Sequence, residues 1–299
     1  MTENNNPVLP RAEIGILGGT GLYRIDGLEV IRDIEIETPF GAPSDAFTIG
    51  RLEGRTVAFL SRHGRGHSLL PSDINYRANI CAFKMLGVER ILSVNSVGSL
   101  KEDIPPRDIV IPDQFYDRSR RRNTFFGEGA VGHVGMADPV CGEMIEALGE
   151  AGRELGLRIH TGGTYVCIEG PAFSTRAESE MHRAWGGDLI GMTCMPEARL
   201  AREAEMAYAL VALASDYDCW RPAPAELDRH ELLKEIIGNL TEATAHAVDL
   251  IRAAVERFGE IAEEPSPAHS ALELAIWSNT EMISPEVADR LGVLVEKYL

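Results

Sequence analysis

Two carboxylates stand two positions apart in Ser215-Asp216-Tyr217-Asp218-Cys219-Trp220, directly after a charge-free run from Met206 to Ala214. Acids spaced in this way can each face a heteroatom on one edge of a planar ring. A carboxyl group with a raised pKa can also hand a proton to a ring nitrogen as a bond to that ring breaks. Aspartate is equally common in a turn after a strand, so the pair alone leaves both readings open. Four other stretches put anion-binding groups just after short apolar runs. They are Gly18-Gly19-Thr20-Gly21, Arg62-His63, Asn95-Ser96 and Met192-Thr193. Thr20, Arg62, His63, Ser96 and Thr193 together describe an oxyanion pocket. Phe173, after Gly170-Pro171-Ala172 and before Ser174, is either a stacking platform for a flat ring or a loop anchor in the core. An anion beside a planar base with an acid at its edge describes phosphorolysis of a nucleoside. The glycosidic C–N bond breaks through an oxocarbenium-like state, the acid protonates the departing base, and phosphate attacks the opposite face of the sugar.

Each motif also has a plainer reading. The glycine turn lets an anion approach backbone N–H groups, but it lacks the G-x-G-x-x-G spacing of a dinucleotide site. A phosphate cradle and a purely structural turn both remain open there. His63 and His67 are i, i+4, yet Gly64 and Gly66 lie between them and no third ligand completes a set, so no metal is expected. The basic run Arg118-Ser119-Arg120-Arg121-Arg122 reads as a solvated loop.

The chain as a whole narrows the classes. Its 299 residues are 44% hydrophobic and 25% charged, as in a soluble globular protein. A net charge of −17 argues against nucleic acid and anionic membranes as partners, while leaving room for a small anion in a local positive pocket. Cysteines 81, 141, 167, 194 and 219 are odd in number and scattered, which suits free thiols in a reducing compartment. Residues 1–13 are polar and read as frayed, with no signal peptide, and no stretch approaches a membrane span. A cytoplasmic protein is expected.

The elements that must position these groups alternate. Strands are expected at 14–17, 46–50 and 55–61 (a hairpin about Glu53-Gly54), 90–95, 108–112, 164–169 and 188–192. The run 206–214 is a strand buried on both faces or a buried helix. Helices are expected from a Pro71-Ser72 cap to Leu86 with Gly87 as stop, at about 139–155, at 176–185, after Pro196, and at about 231–257. Leu232, Leu233, Ile236, Ile237 and Leu240 on the last helix read as core packing. Residues 222–230 are a Pro-rich loop and 260–269 a linker. Residues 270–299 form two helices, the second capped by Ser284-Pro285. The pattern calls for an α/β fold: a single domain with a mixed, mostly parallel central sheet flanked by helices. It divides into 1–13, a catalytic domain at 14–257 and a C-terminal helical extension at 258–299, packed on the domain or on a neighbouring subunit.

Taken together the motifs resemble those of the trimeric purine nucleoside phosphorylase and methylthioadenosine phosphorylase family, over residues 14–257. Besides the stretches above, Thr38-Pro39-Phe40-Gly41, Asp113-Gln114-Phe115, Glu169-Gly170-Pro171 and Pro196-Glu197 carry the likeness. It implies a homotrimer that needs phosphate as co-substrate and no cofactor. It implies that Thr20, Arg62, His63, Asn95, Ser96 and Thr193 bind phosphate, with Asn95 and Ser96 also near the ribose and Met192 against it. Phe173 and Ser174 would lie by the base, and Asp216 and Asp218 at its N7 and 6-amino edge, with Asp216 the catalytic acid. His133 matches a histidine that reaches the 5′-substituent in a neighbouring subunit. An ionised carboxylate only accepts hydrogen bonds, so two acids suit a 6-amino group and repel a 6-oxo group. The expected reaction is phosphorolysis of 5′-methylthioadenosine to adenine and 5-methylthioribose 1-phosphate, in methionine and purine salvage. Its rival is the same reaction on 6-oxopurine nucleosides such as 5′-methylthioinosine or inosine. A nucleosidase using water and a non-catalytic nucleotide-binding protein are further alternatives, separable by the phosphate dependence of base release.

Overall fold

The two longest strands are β5 (Arg90–Ser99) and β11 (Ala207–Asp216), which pair in parallel from Ala207 opposite Arg90 to Ala214 opposite Val97. The computed structural model describes residues 9–222, 228–261 and 265–299. The side chains of β11 alternate between two cores. Tyr208, Leu210, Ala212 and Ala214 face one, while Ala207, Ala209, Val211 and Leu213 face the other. This period of two, with both faces apolar, decides for a strand over a buried helix.

Around them lie β1 (Ile14–Gly18), β2 (Glu29–Ile34), β3 (Phe47–Leu52), β4 (Arg55–Ser61), β6 (Ile109–Ile111), β7 (Gln114–Asp117), β8 (Ile159–Thr161), β9 (Thr164–Cys167) and β10 (Leu189–Gly191). They form one mixed sheet in the order β2-β3-β4-β1-β5-β10-β9-β7, with β11, β6 and β8 branching from β5. The hairpin β3–β4 turns at Glu53-Gly54, and Gly54 has φ +78°. Helices α1 (Tyr76–Met85) and α4 (Cys194–Glu203) cover one face; α2 (Gly142–Glu154) and α5 (Arg229–Glu260) cover the other. Helix α6 (Pro285–Leu291) packs Val287 and Leu291 on the first of these cores, and α3 (Arg176–Ala184) carries the buried Ser179.

The sheet positions the site through one discontinuity. Along one edge β5 pairs with β1 as far as Val94 and with β10 only from Gly98. Asn95, Ser96 and Val97 therefore face no strand on that side, and a cavity opens there. The gap lies beyond the carboxyl end of β1, where ligands bind in open α/β sheets.

Several expectations are corrected. Helix α1 starts not at Pro71-Ser72 but behind Asn75, whose side chain accepts from Ala78 N. Residues 9–13 are not frayed: Ala12 N and Glu13 N donate to Leu86 O and Thr56 O, and Ala12 is buried. Helix α5 begins behind an Asp228 and Glu231 capping box. Of the residues expected in the core, Leu240 packs against it half-buried, and fully buried contacts run from Ala243 through Ala247, Leu250, Ile251, Ala254 and Phe258. Leu233 and Ile237 are more than half exposed, because the first turns of the helix overhang the sheet. The tail has one α-helix, α6, capped by Ser284 as expected; the segment before it makes only 3₁₀ turns. Most of the loop expected at 222–230 and part of the linker at 260–269 lie outside the described residues.

Candidate functional site

The cavity in the sheet gap has a volume of about 450 Å³. Thr20, Arg62, His63, Asn95, Ser96, Phe173, Ser174, Met192, Thr193, Asp216 and Asp218 all line it. Every residue singled out for chemistry is thus brought together except His133. That histidine lies outside, edge-on to Trp277 with ring centroids 4.9 Å apart, and its backbone N donates to Ala275 O.

The anion end is built by β1, β4 and β5. A Cβ on Gly19 would collide with Val94 O and with the Arg62 guanidinium, so the turn must be glycine for the two strand ends to close on each other. Arg62 is fully buried. Its Nε and Nη2 grip both oxygens of buried Glu197, and Nη2 also donates to Ser93 Oγ at 2.6 Å. Nη1 donates to Val94 O at 3.1 Å. Burial works against the Arg62 charge, but Glu197 more than offsets it and holds the pKa above its ordinary value. The guanidinium fork that an arginine in an oxyanion pocket could offer to an anion is spent on Glu197, and one Nη1 hydrogen remains for a ligand.

His63 Nδ1 lies 2.9 Å from Leu69 O. A carbonyl only accepts, so Nδ1 carries the hydrogen. Burial pulls the His63 pKa down to about 4, so the ring is neutral and Nε2 keeps a lone pair. His67 stacks on it at 4.3 Å and shares a 2.8 Å hydrogen bond with Tyr23. Asn95 Nδ2 donates to Thr193 Oγ1 at 2.9 Å and to Tyr165 OH at 3.2 Å, while its Oδ1 accepts from Ser93 Oγ. Both amide hydrogens of Asn95 are therefore committed within the protein. Thr193 Oγ1 accepts one of them, which leaves its own hydrogen for another partner.

The base end is made by β11. Between Ala214 and Asp216 the register with β5 slips, so Ser215 is an extra residue and Asp216 stands opposite Gly98. Such a bulge re-aims the side chains after it. A Cβ on Gly98 would come within 3.2 Å of Asp216 Oδ1 and 3.3 Å of Asp218 Cβ, so glycine makes room for the acid pair. Asp216 Oδ2 lies 2.7 Å from Ser215 Oγ, and Oδ1 accepts from Asp218 N at 2.7 Å. Asp218 Oδ2 accepts a short hydrogen bond from buried Ser179 Oγ. Burial raises the Asp216 pKa, and the Asp218 charge adds to the rise as the smallest cause. The rise that a proton-donating carboxyl group needs is present, and its main source is desolvation.

Phe173 is 85% exposed, which removes the core-anchor reading and leaves one ring face open at the rim. Met192 Sδ packs where a Cβ on Gly170 would sit. Leu70, Pro71, Ile236 and Leu240 add an apolar wall. Ser174 Oγ is buried with no hydrogen-bond partner among the described residues.

Sequence reasoning missed the residues that hold this set in place. Glu197 stands in the sequence as part of a helix start and of the family likeness, with no mark of its tie to Arg62, although a buried arginine requires a buried acid. Arg121, assigned to a solvated loop, has a side chain 5% exposed. It bonds Tyr76 OH, Met192 O, Met195 O and both Oε1 and the backbone O of Glu169, joining the loop before Phe173 to the turn carrying Thr193. Its neighbours are tied down too: Arg120 N donates to Glu169 Oε2, and Arg118 lies over the Trp185 ring. Among the described residues no three His, Cys, Asp or Glu side chains group as metal ligands, and no helix is long and apolar enough to cross a membrane.

Comparison with known proteins adds independent observations. Residues 13–256 match the model of the phosphorylase superfamily. S-methyl-5′-thioadenosine phosphorylase of Koribacter versatilis is 49% identical over 289 residues, covering 96% of this chain and 97% of that protein. The Geobacter sulfurreducens protein of the same name is 50% identical, covering 96% of this chain and 99% of its own length. A crystal structure of methylthioadenosine phosphorylase from an Antarctic soil metagenomic library superposes with a TM-score of 0.88 at 48% identity, over 95% of this chain and 99% of that one. Methylthioadenosine phosphorylase of Schistosoma mansoni in complex with adenine gives 0.82 at 33% identity, over 89% and 99%.

Proposed function

Because this chain belongs to the phosphorylase superfamily, and its relatives at about half identity over nearly their whole length are S-methyl-5′-thioadenosine phosphorylases, we propose that it catalyses phosphorolysis of 5′-methylthioadenosine. The products are adenine and 5-methylthioribose 1-phosphate, which places the protein in purine and methionine salvage. The observation that carries this reading is one cavity with neutral and cationic hydrogen-bond donors at one end and a half-buried acid pair at the other.

Phosphate sits among Thr20, Arg62, His63, Ser96 and Thr193. The free Nη1 hydrogen of Arg62 and the Thr193 hydroxyl donate to its oxygens. The Nε2 lone pair of neutral His63 suits a phosphate oxygen that still bears its hydrogen. Asn95 acts through Thr193, whose hydroxyl it orients. A phosphate oxygen attacks C1′ of the sugar as the C1′–N9 bond breaks, and the bonding electrons pass into the purine. Asp216, kept protonated more readily by burial, gives its hydrogen to N7. Asp218, fixed by Ser179, accepts from the 6-amino group. Phe173 covers one face of the base, Ser174 Oγ offers the polar contact it lacks among the described residues, and Met192 lies on the ribose. The apolar wall of Leu70, Pro71, Ile236 and Leu240 suits a methylthio group better than a hydroxyl. Phosphate is the co-substrate and no further cofactor enters the scheme.

A homotrimer in the cytoplasm follows from the same reading. Val131 and Trp277 beside His133, and Leu274 next to its bonding partner Ala275, are exposed apolar side chains, as at a subunit boundary. His133 then serves the 5′-end of a neighbouring subunit's cavity. The decisive assay follows adenine release from methylthioadenosine with and without phosphate, on protein whose mass has been measured by light scattering. Release at the same rate without phosphate marks a nucleosidase, and a fully active monomer removes the boundary role of His133.

A further inference from the structure

We propose that Asn239 is a positioning residue that ties the apolar wall of the cavity to the acid Asp216, so that filling the 5′-end is felt at the base; this rests on the functional reading above. Asn239 lies on α5 at 5% exposure, in a helix interior where asparagine is a poor former. Its amide makes two bonds outside the helix. Nδ2 donates to Ser215 O at 3.0 Å, and Oδ1 accepts from Arg107 Nε at 2.9 Å. Ser215 is the extra residue of the β11 bulge, and its carbonyl belongs to the peptide whose nitrogen is that of Asp216. Turning that peptide turns Asp216. Arg107 grips the preceding carbonyl as well, since its backbone N donates to Ala214 O at 2.7 Å, from a φ of +79° that a non-glycine residue adopts only when held there.

The other half of the link is helical spacing. Ile236, Asn239 and Leu240 are i, i+3 and i+4 and share one helix face. Ile236 and Leu240 line the cavity while Asn239, between them, holds the bulge. A group that packs on Ile236 and Leu240 therefore presses on the same rigid face that sets the Ser215–Asp216 peptide. Binding energy from a remote part of a substrate can in this way serve orientation at the reacting centre, which appears in kcat rather than in KM. Arg62 and His63, at the end of β4, bond to Glu197, Val94 and Leu69 and stand outside this path, while the turn after β1 meets α5 at Leu240 and Thr244 rather than at the Asn239 amide.

The test compares 5′-methylthioadenosine with 5′-deoxyadenosine, which lacks the methylthio group, at saturating phosphate, in the unaltered protein and in Asn239→Leu. The unaltered protein turns over the methylthio compound faster. In Asn239→Leu its kcat falls about tenfold or more, that of 5′-deoxyadenosine changes less than about threefold, and the phosphate KM moves less than about twofold. An equal fall on both substrates, or none on either, overturns the proposal, because a residue that merely holds the fold cannot tell them apart. Arg107→Met is the second variant, chosen because that side chain is 53% exposed and tolerates change. It unseats Asn239 from its other side and gives the same selective fall, of about threefold. If Asn239→Leu does not fold and Arg107→Met treats both substrates alike, the proposal is overturned. If the unaltered protein releases no adenine from either compound, the functional reading fails and this inference fails with it.

Discussion

The two ends of the cavity are built on different principles. At the anion end the central group is interior: Arg62 and Glu197 are both buried and locked to each other, to Ser93 and to two backbone carbonyls. At the base end the working groups stand at the margin. Asp216 ends β11 and Asp218 follows it, Phe173 is nearly free, and Leu233 and Ile237 on the first turns of α5 are more than half exposed. A preorganised charge site costs desolvation and must be satisfied from within the fold. A site for a flat ring with an apolar tail needs adjustable walls and a few directed polar contacts. The difference teaches that the anion end is part of the folding core, whereas the base end is supported by the fold without being needed for it.

The comparison breaks most clearly at Asp216. Asp216→Asn keeps the shape but removes the transferable hydrogen. We expect kcat on methylthioadenosine to fall on the order of 10²–10⁴, with a relative gain for methylthioinosine because the repulsion of a 6-oxo group is gone. The folded state should survive, as judged by the thermal midpoint. Near-normal rates with an unchanged substrate ratio would reduce the acid pair to a turn.

Glu197→Gln should behave in the opposite way. Removing one partner of a buried ion pair costs about 3–5 kcal/mol, so thermal stability falls together with affinity for phosphate, while the preference for 6-amino substrates stays. A variant with full stability and a changed base preference would show that the two ends are not separate in this sense.

The smallest effect concerns pH. His63 is neutral in the folded protein down to about 4, against 6.5 when exposed. Between those values the unfolded chain takes up a proton that the folded chain refuses. The stabilisation is therefore complete above pH 6.5 and is lost as pH falls toward 4. His63→Gln should flatten that loss in a series of thermal midpoints, and an unaltered slope would place the effect elsewhere, with His182 and His269 lowered in the same sense. Asp216 has the opposite sign: its raised pKa makes it a better acid donor at neutral pH, and turnover falls as pH rises through that pKa.

Much of this molecule follows from local pattern. The alternation of apolar runs with helical stretches determines an α/β fold, because a strand apolar on both faces must be covered on both. Gly18-Gly19-Thr20, Arg62-His63, Asn95-Ser96 and Asp216-x-Asp218 are legible because each follows an apolar run, and strand ends are where ligands meet such sheets. What the sequence could not decide depends on partners far apart in the chain. Glu197 lies 135 residues from Arg62 and Asn239 lies 24 from Ser215, and no periodicity links them. Nothing local marks Arg121 as buried in a run of arginines, or the outward turn of Leu233 and Ile237 on a helix whose later turns are core. The tertiary structure alone determined which polar groups are already spent on one another and which remain for a ligand. A hydrogen bond is a statement about distance and direction, and residue types at intervals along a chain carry neither.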